Sequence, residues 1–156
     1  MNTKRTMLVA AALWLTAAAV SFAASAHIGT WKLNEAKSKF ADGATKNHTV
    51  TYSEAKGGMI KLTVEGTDKD GKAVKWTWQG KFDGQPHKTN GSPMADQIAY
   101  KSTNDHSNEM TVMKDGKVVM TGTITVSKDG KSRVVKTTMT GADGKKHTDK
   151  AVYDRQ

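Results

Sequence analysis

An Asp-Gly pair followed by lysine occurs at Asp115-Gly116-Lys117, at Asp129-Gly130-Lys131 and at Asp143-Gly144-Lys145, with a further copy at Asp70-Gly71-Lys72. Asp-Gly between alternating apolar and polar residues signals a hairpin, because glycine accepts the positive φ that tight β-turns need. The last three copies recur every 14 residues. Giving each turn about four residues leaves strands of about ten, longer than most and suited to a small coiled barrel.

Alternation places the strands. Ile28 to Leu33, Asn47 to Glu54, Met59 to Thr67 and Ala73 to Gln79 read as strands in the first half. Asp96 to Ser102, Asn108 to Met113, Val118 to Val126, Arg133 to Thr140 and Lys146 to Arg155 do so in the second. Phe82 to Pro86 reads as a turn before a short segment to Thr89 and a loop over Asn90 to Ala95. One apolar face per strand predicts an antiparallel sheet with one side buried, and closure removes the exposed edges. The fold class is therefore all-β, a single up-and-down barrel of about 8–10 strands. A β-sandwich buries the same residues and stands as the alternative.

Turn length sets register. Three loop residues at Lys114 to Gly116 predict Val112 opposite Val118 and Met110 opposite Met120. Two at Asp129-Gly130 set Ile124 against Val135 and Met120 against Met139. For the last hairpin, three loop residues put Arg133, Val135, Ala151 and Tyr153 on one face, the preferred reading, whereas two bring Val152 inward.

Lys4 and Arg5 precede an apolar stretch from Met7 to Ala19, and Ala24-Ser25-Ala26 fits the small-x-small rule for signal peptidase. Residues 1–26 are read as a cleaved signal peptide and 27–156 as the barrel domain, which places the protein in the periplasm or outside the cell. A membrane helix would need about 20 uninterrupted apolar residues, and Thr16 and Ser21 interrupt this stretch. With no cysteine there is neither a lipoprotein attachment site nor a disulfide framework. Losing Lys4 and Arg5 takes the net charge from +9 to +7. The lysines alternate along strands, as at Lys61, Lys75 and Lys136, which describes a solvated outer face, and the scarcity of arginine argues against nucleic acid.

Trp76 and Trp78 are two residues apart and share a face. Turned inward, they line an apolar pocket or fill the core. Met59, Met110, Met120 and Met139 suit an adaptable cavity equally with plain gap filling. His27 at the expected new N-terminus reads either as an exposed terminus or as a copper ligand using its amine and ring nitrogen, although no second histidine has metal-ligand spacing. Asp68-Lys69-Asp70-Gly71 lacks the glutamate that closes a calcium loop. There is no cysteine nucleophile, Gly-x-Ser-x-Gly turn, phosphate loop or His-Glu-x-x-His helix. His147, Asp149 and Tyr153 alternate on the last strand as a conceivable acid–base set, or as a polar edge.

Gly29-Thr30-Trp31-Lys32-Leu33, followed by Ser38-Lys39-Phe40, resembles the opening strand of fatty-acid-binding proteins and the Gly-x-Trp segment of lipocalins. Arg133-Val134-Val135 with Met139, and then Ala151-Val152-Tyr153-Asp154-Arg155, is similar to the last two strands of the fatty-acid-binding group. Small secreted bacterial lipocalin-like proteins of the calycin type are the family it most resembles. The resemblance implies a barrel plugged by Trp31 under Arg155. It also implies an interior anion clamp, of which Tyr153 is present while Ala151 stands where the family has arginine. Arg133 supplies the charge if it faces the same cavity. The connection from Asn34 to Lys46 is too short for the family's paired-helix lid.

The sequence thus predicts a non-catalytic binding protein without cofactor, metal or membrane anchor. A small hydrophobic or amphipathic ligand would be lined by Trp76, Trp78, Met110, Met120 and Met139, with Arg133 and Tyr153 as polar anchors. A copper-binding envelope protein using His27, and a filled barrel that docks an anionic envelope component, are the alternatives.

Overall fold

The computed structural model describes residues 26–156; the signal segment expected over 1–26 lies outside them except for Ala26. Ten strands follow in order: β1 Gly29–Leu33, β2 Lys46–Ala55, β3 Met59–Thr67, β4 Ala73–Gly80, β5 Asp83–Asn90, β6 Gln97–Asn104, β7 Ser107–Lys114, β8 Lys117–Val126, β9 Ser132–Thr140 and β10 Lys146–Arg155. Each pairs antiparallel with its chain neighbours, and β1 pairs with β10, so the meander closes into a barrel. The sandwich alternative is thereby excluded. A short 3-10 turn, Glu35–Lys37, capped by the Asn34 side chain, occupies the β1–β2 connection.

The inner face carries the core. Trp31, Val50, Tyr52, Ile60, Leu62, Val64, Trp78, Ile98, Tyr100, Ile124 and Val126 are buried, all at strand positions that alternate with less buried ones. Lys61, Lys75 and Lys136 lie on the exposed outer face.

Two of the expected registers hold. Ile124 pairs with Val135 and Met120 with Met139, while Arg133 pairs with Tyr153 and Val135 with Ala151, as three loop residues require. The β7–β8 hairpin differs. Asp115 and Gly116 both have positive φ, 50° and 73°, so they form a two-residue turn of the mirror-image type. Lys114 pairs with Lys117, and β8 then absorbs an extra residue at a bulge before Val112 meets Met120. Met110 therefore opposes Gly122, and Val118 points outward at 59% exposure.

The turn expected over Phe82 to Pro86 and the short segment to Thr89 together form strand β5. Pro86 cannot donate to a ladder. It is accommodated because β5 meets β4 only at Thr77–Asn90 and Trp78–Thr89, and because its pairing with β6 shifts between Asp83 and Pro86. The ladder is consequently shortest at the β4–β5 seam.

Gly66 is required where β2 and β3 cross closely. A Cβ there would run into the Lys46 carbonyl, next to the β2 bulge between Asn47 and Thr49. Gly66→Ala is expected to destabilise the barrel by about 1–3 kcal/mol, the usual cost of overpacking. Urea denaturation measures it; a change below about 0.5 kcal/mol would show that the wall yields there.

Candidate functional site

The meander gives the barrel two unlike ends. At one end lie the β2–β3, β4–β5, β6–β7 and β8–β9 turns together with residues 26–28 and Arg155; the other five connections surround the opposite mouth.

The first end is plugged. Trp31 is fully buried, and its indole Nε1 donates to the His27 carbonyl at 2.9 Å. Arg155 lies over the Trp31 ring at 4.3 Å and donates to the carbonyls of Ala26, Ile28 and Gly130, tying the entering chain to the β8–β9 turn. Gly29 has φ of 127°, and a side chain there would meet the Arg155 guanidinium, so this arrangement needs glycine. The plug expected for Trp31 and Arg155 is present.

Above the plug sits an aromatic cluster. Trp78 packs edge-on against Tyr100 at 4.8 Å between ring centroids and stacks with Phe82, while its Nε1 donates to the Ile98 carbonyl at 2.9 Å. His27 is not an exposed terminus: its ring is buried between Tyr52 and Phe82, at centroid distances of 6.2 Å and 5.7 Å. Chain entry beside the plug forces it inward. Burial, and then the nearby Arg133 charge, lower its pKa to about 4, so it is neutral. Burial pushes the Tyr153 hydroxyl up to about 12 and the Tyr100 hydroxyl well above its usual value. Arg133 is buried over the rings of Trp31, Tyr52 and Tyr153 at 5.2, 5.1 and 4.6 Å.

The opposite mouth is hollow, apolar within and charged at its rim. An inner cavity of about 80 Å³ is lined by Val74, Trp76, Ile98, Met110, Val112 and Met120 under the β5–β6 loop. Outside it, a recess of about 310 Å³ opens between the Gly43–Thr45 and Asp68–Asp70 loops, with Met120, Met139 and Asp149 on its walls. Thr45, Pro93, Met94 and Met120 border both spaces. The Met94 sulfur accepts a hydrogen bond from the Thr45 hydroxyl at 2.9 Å.

The sequence-derived site therefore divides. Trp76, Met110, Met120 and Met139 meet at the mouth, whereas Trp78, Arg133 and Tyr153 line neither mouth cavity. Met59 lies away from both, near the Gln79 amide. Met94 went unnoticed because it sits alone in a polar loop; the apolar run Pro93-Met94-Ala95 was the only signal. The His147, Asp149 and Tyr153 set does not assemble. His147 contacts Asp143 at 3.3 Å, Asp149 accepts from the Ala41 amide, and Tyr153 is deep inside. No cluster of three histidine, aspartate or glutamate side chains with metal-binding geometry occurs among the described residues.

The fold is similar to the solved structure of EF1p2_mFAP2b bound to DFHBI, with 11% identity over 88% of this chain and 100% of that one and a TM-score of 0.52. A redesigned β-barrel, mFAP1, also bound to DFHBI, is 17% identical over 86% of this chain and 100% of its own, with a TM-score of 0.48. No protein-family model matches the sequence, and no curated protein matches it. The likeness is one of barrel fold.

Proposed function

We propose that this barrel is an exported, non-catalytic binding protein that takes a small hydrophobic or amphipathic, lipid-like molecule through its methionine-lined mouth. The observation that carries this reading is the pair of adjoining spaces at the mouth, an apolar inner cavity and an outer recess that adds Asp68, Lys69, Asp70 and Asp149 to its apolar walls. At 80 Å³ the inner cavity is too small for an organic ligand alone; with the 310 Å³ recess it reaches the bottom of the range of about 300–1,000 Å³ typical of ligand pockets. Met94 and Met120 border both, and unbranched thioethers adapt to an irregular guest at little cost. The barrel of EF1p2_mFAP2b, similar in fold, holds DFHBI, which supports such a use of the architecture.

Native mass spectrometry of protein expressed with its own N-terminal segment tests this. An organic adduct that leaves on delipidation and returns with added amphiphile is the expected result. Sequencing the exported chain locates the cut expected after residue 26. Met120→Lys places a charge where both cavities meet and should weaken binding of a hydrophobic dye at least tenfold, because a charge in an apolar pocket must be desolvated without a partner. Absence of any adduct, with no dye or fatty acid competing for an interior site, would end the proposal.

A further inference from the structure

The closed end presents a different chemistry, independent of the mouth. His27, Asn108 and Arg133 are the buried polar side chains of the described barrel, at 0%, 1% and 2% exposure. Arg133 Nε and Nη1, Asn108 Nδ2 and both ring nitrogens of His27 have no hydrogen-bond partner among the described residues. We propose that this end of the barrel binds a small monovalent anion of halide size, held by Arg133 Nε and Nη1 with Asn108 Nδ2 and the His27 ring beside it.

The positions converge. Arg133 on β9 pairs with Val126 of β8, and Asn108 on β7 pairs with Ile124 of the same strand. The two therefore stand on the inner face on either side of β8, roughly 12 Å apart at the backbone given two strand spacings across and a two-residue offset along the strand. The Ser102 hydroxyl engages Asn108 Oδ1 at 3.1 Å and leaves the amide nitrogen free. His27 and Arg133 border the same Tyr52 ring.

Charge selects an anion over water alone. Arg133 and Arg155 lie over one Trp31 ring, and among the described residues neither has a carboxylate in ion-pairing reach. Residues 1–25 contain no aspartate or glutamate that could reach in. Arg155 satisfies its donors on three carbonyls; Arg133 does not. The aromatic faces soften the charge but accept no N–H bond at Nε and Nη1. A buried cation without partner or acceptor is among the costliest features a core can carry. Water would supply acceptors and leave the charge; a monovalent anion supplies both.

The test is thermal unfolding of the full chain at constant ionic strength, exchanging gluconate for chloride or bromide, with crystals grown in bromide. Tm should rise saturably, by about 10 °C at a hundredfold the half-saturating concentration, and an anomalous peak should lie within hydrogen-bonding reach of Arg133 Nε or Nη1. Arg133→Met should abolish the anion dependence. Should that variant not fold, Asn108→Ala decides, with half-saturation expected at least fivefold higher. Equal Tm in all anions, an effect undiminished in the variant that folds, or a bound amphiphile's carboxylate at Arg133 in place of the halide would each overturn the proposal.

Discussion

Trp31→Ala is expected to cost the barrel about 3–5 kcal/mol, the range for removing a large buried aromatic side chain. Trp31 is fully buried at the plugged end, two guanidiniums lie over its ring, and its indole nitrogen donates to the His27 carbonyl. Truncation therefore empties a large volume and removes two cation–π contacts and a hydrogen bond at once. Trp31→Phe should retain much of the packing while losing the hydrogen bond, and so fall between the two. Chemical denaturation monitored by far-ultraviolet circular dichroism reads all three proteins. A loss under about 1 kcal/mol in Trp31→Ala would mean that the plug is not what closes this end.

Acidification should destabilise the fold through His27. Its folded pKa of about 4 lies below the ordinary 6.5, so the unfolded chain binds a proton that the folded chain refuses. Stability then falls as pH drops through 6.5 toward 4, by about 1.4 kcal/mol per unit and about 3 kcal/mol in all, and levels off below that. The carboxylates of Glu35, Asp129 and Asp143, whose pKa values are also lowered, lose their contribution at lower pH still. His27→Phe keeps an aromatic ring beside Tyr52 and Phe82 and removes the titrating group. The difference in stability between the two proteins should grow from pH 7 to pH 4.5. Parallel pH profiles would show that the imidazole is hydrated in the folded protein.

The barrel was legible in the sequence because two local signals agree. Asp-Gly pairs fix the turns, and long strands such as Met59–Thr67 alternate without interruption. β5 was not legible, since Asp-Gly-Gln-Pro-His-Lys-Thr-Asn has no apolar alternation and is held mainly by its neighbour β6. The β7–β8 register was misread because a bulge in β8 offsets the shorter turn, and a bulge leaves no mark in hydrophobic pattern. The last hairpin came out as expected, which is why Arg133 and Tyr153 share the interior. Their separation from the methionines was not readable, because alternation specifies which face a residue occupies and not how far along the barrel axis it lies. His27 was misplaced for a related reason: proximity to an expected chain end suggested exposure, whereas the geometry of the plug pulls it in.

The eight methionines offer the most direct measurement. With methionine methyl groups labelled with carbon-13, titration with a hydrophobic dye can be followed by methyl NMR. Saturable shifts confined to Met94, Met110, Met120 and Met139, with Met59 unmoved, are predicted. Shifts at Met59 alone, or none at any methyl while the dye binds, would contradict the mouth as the binding site.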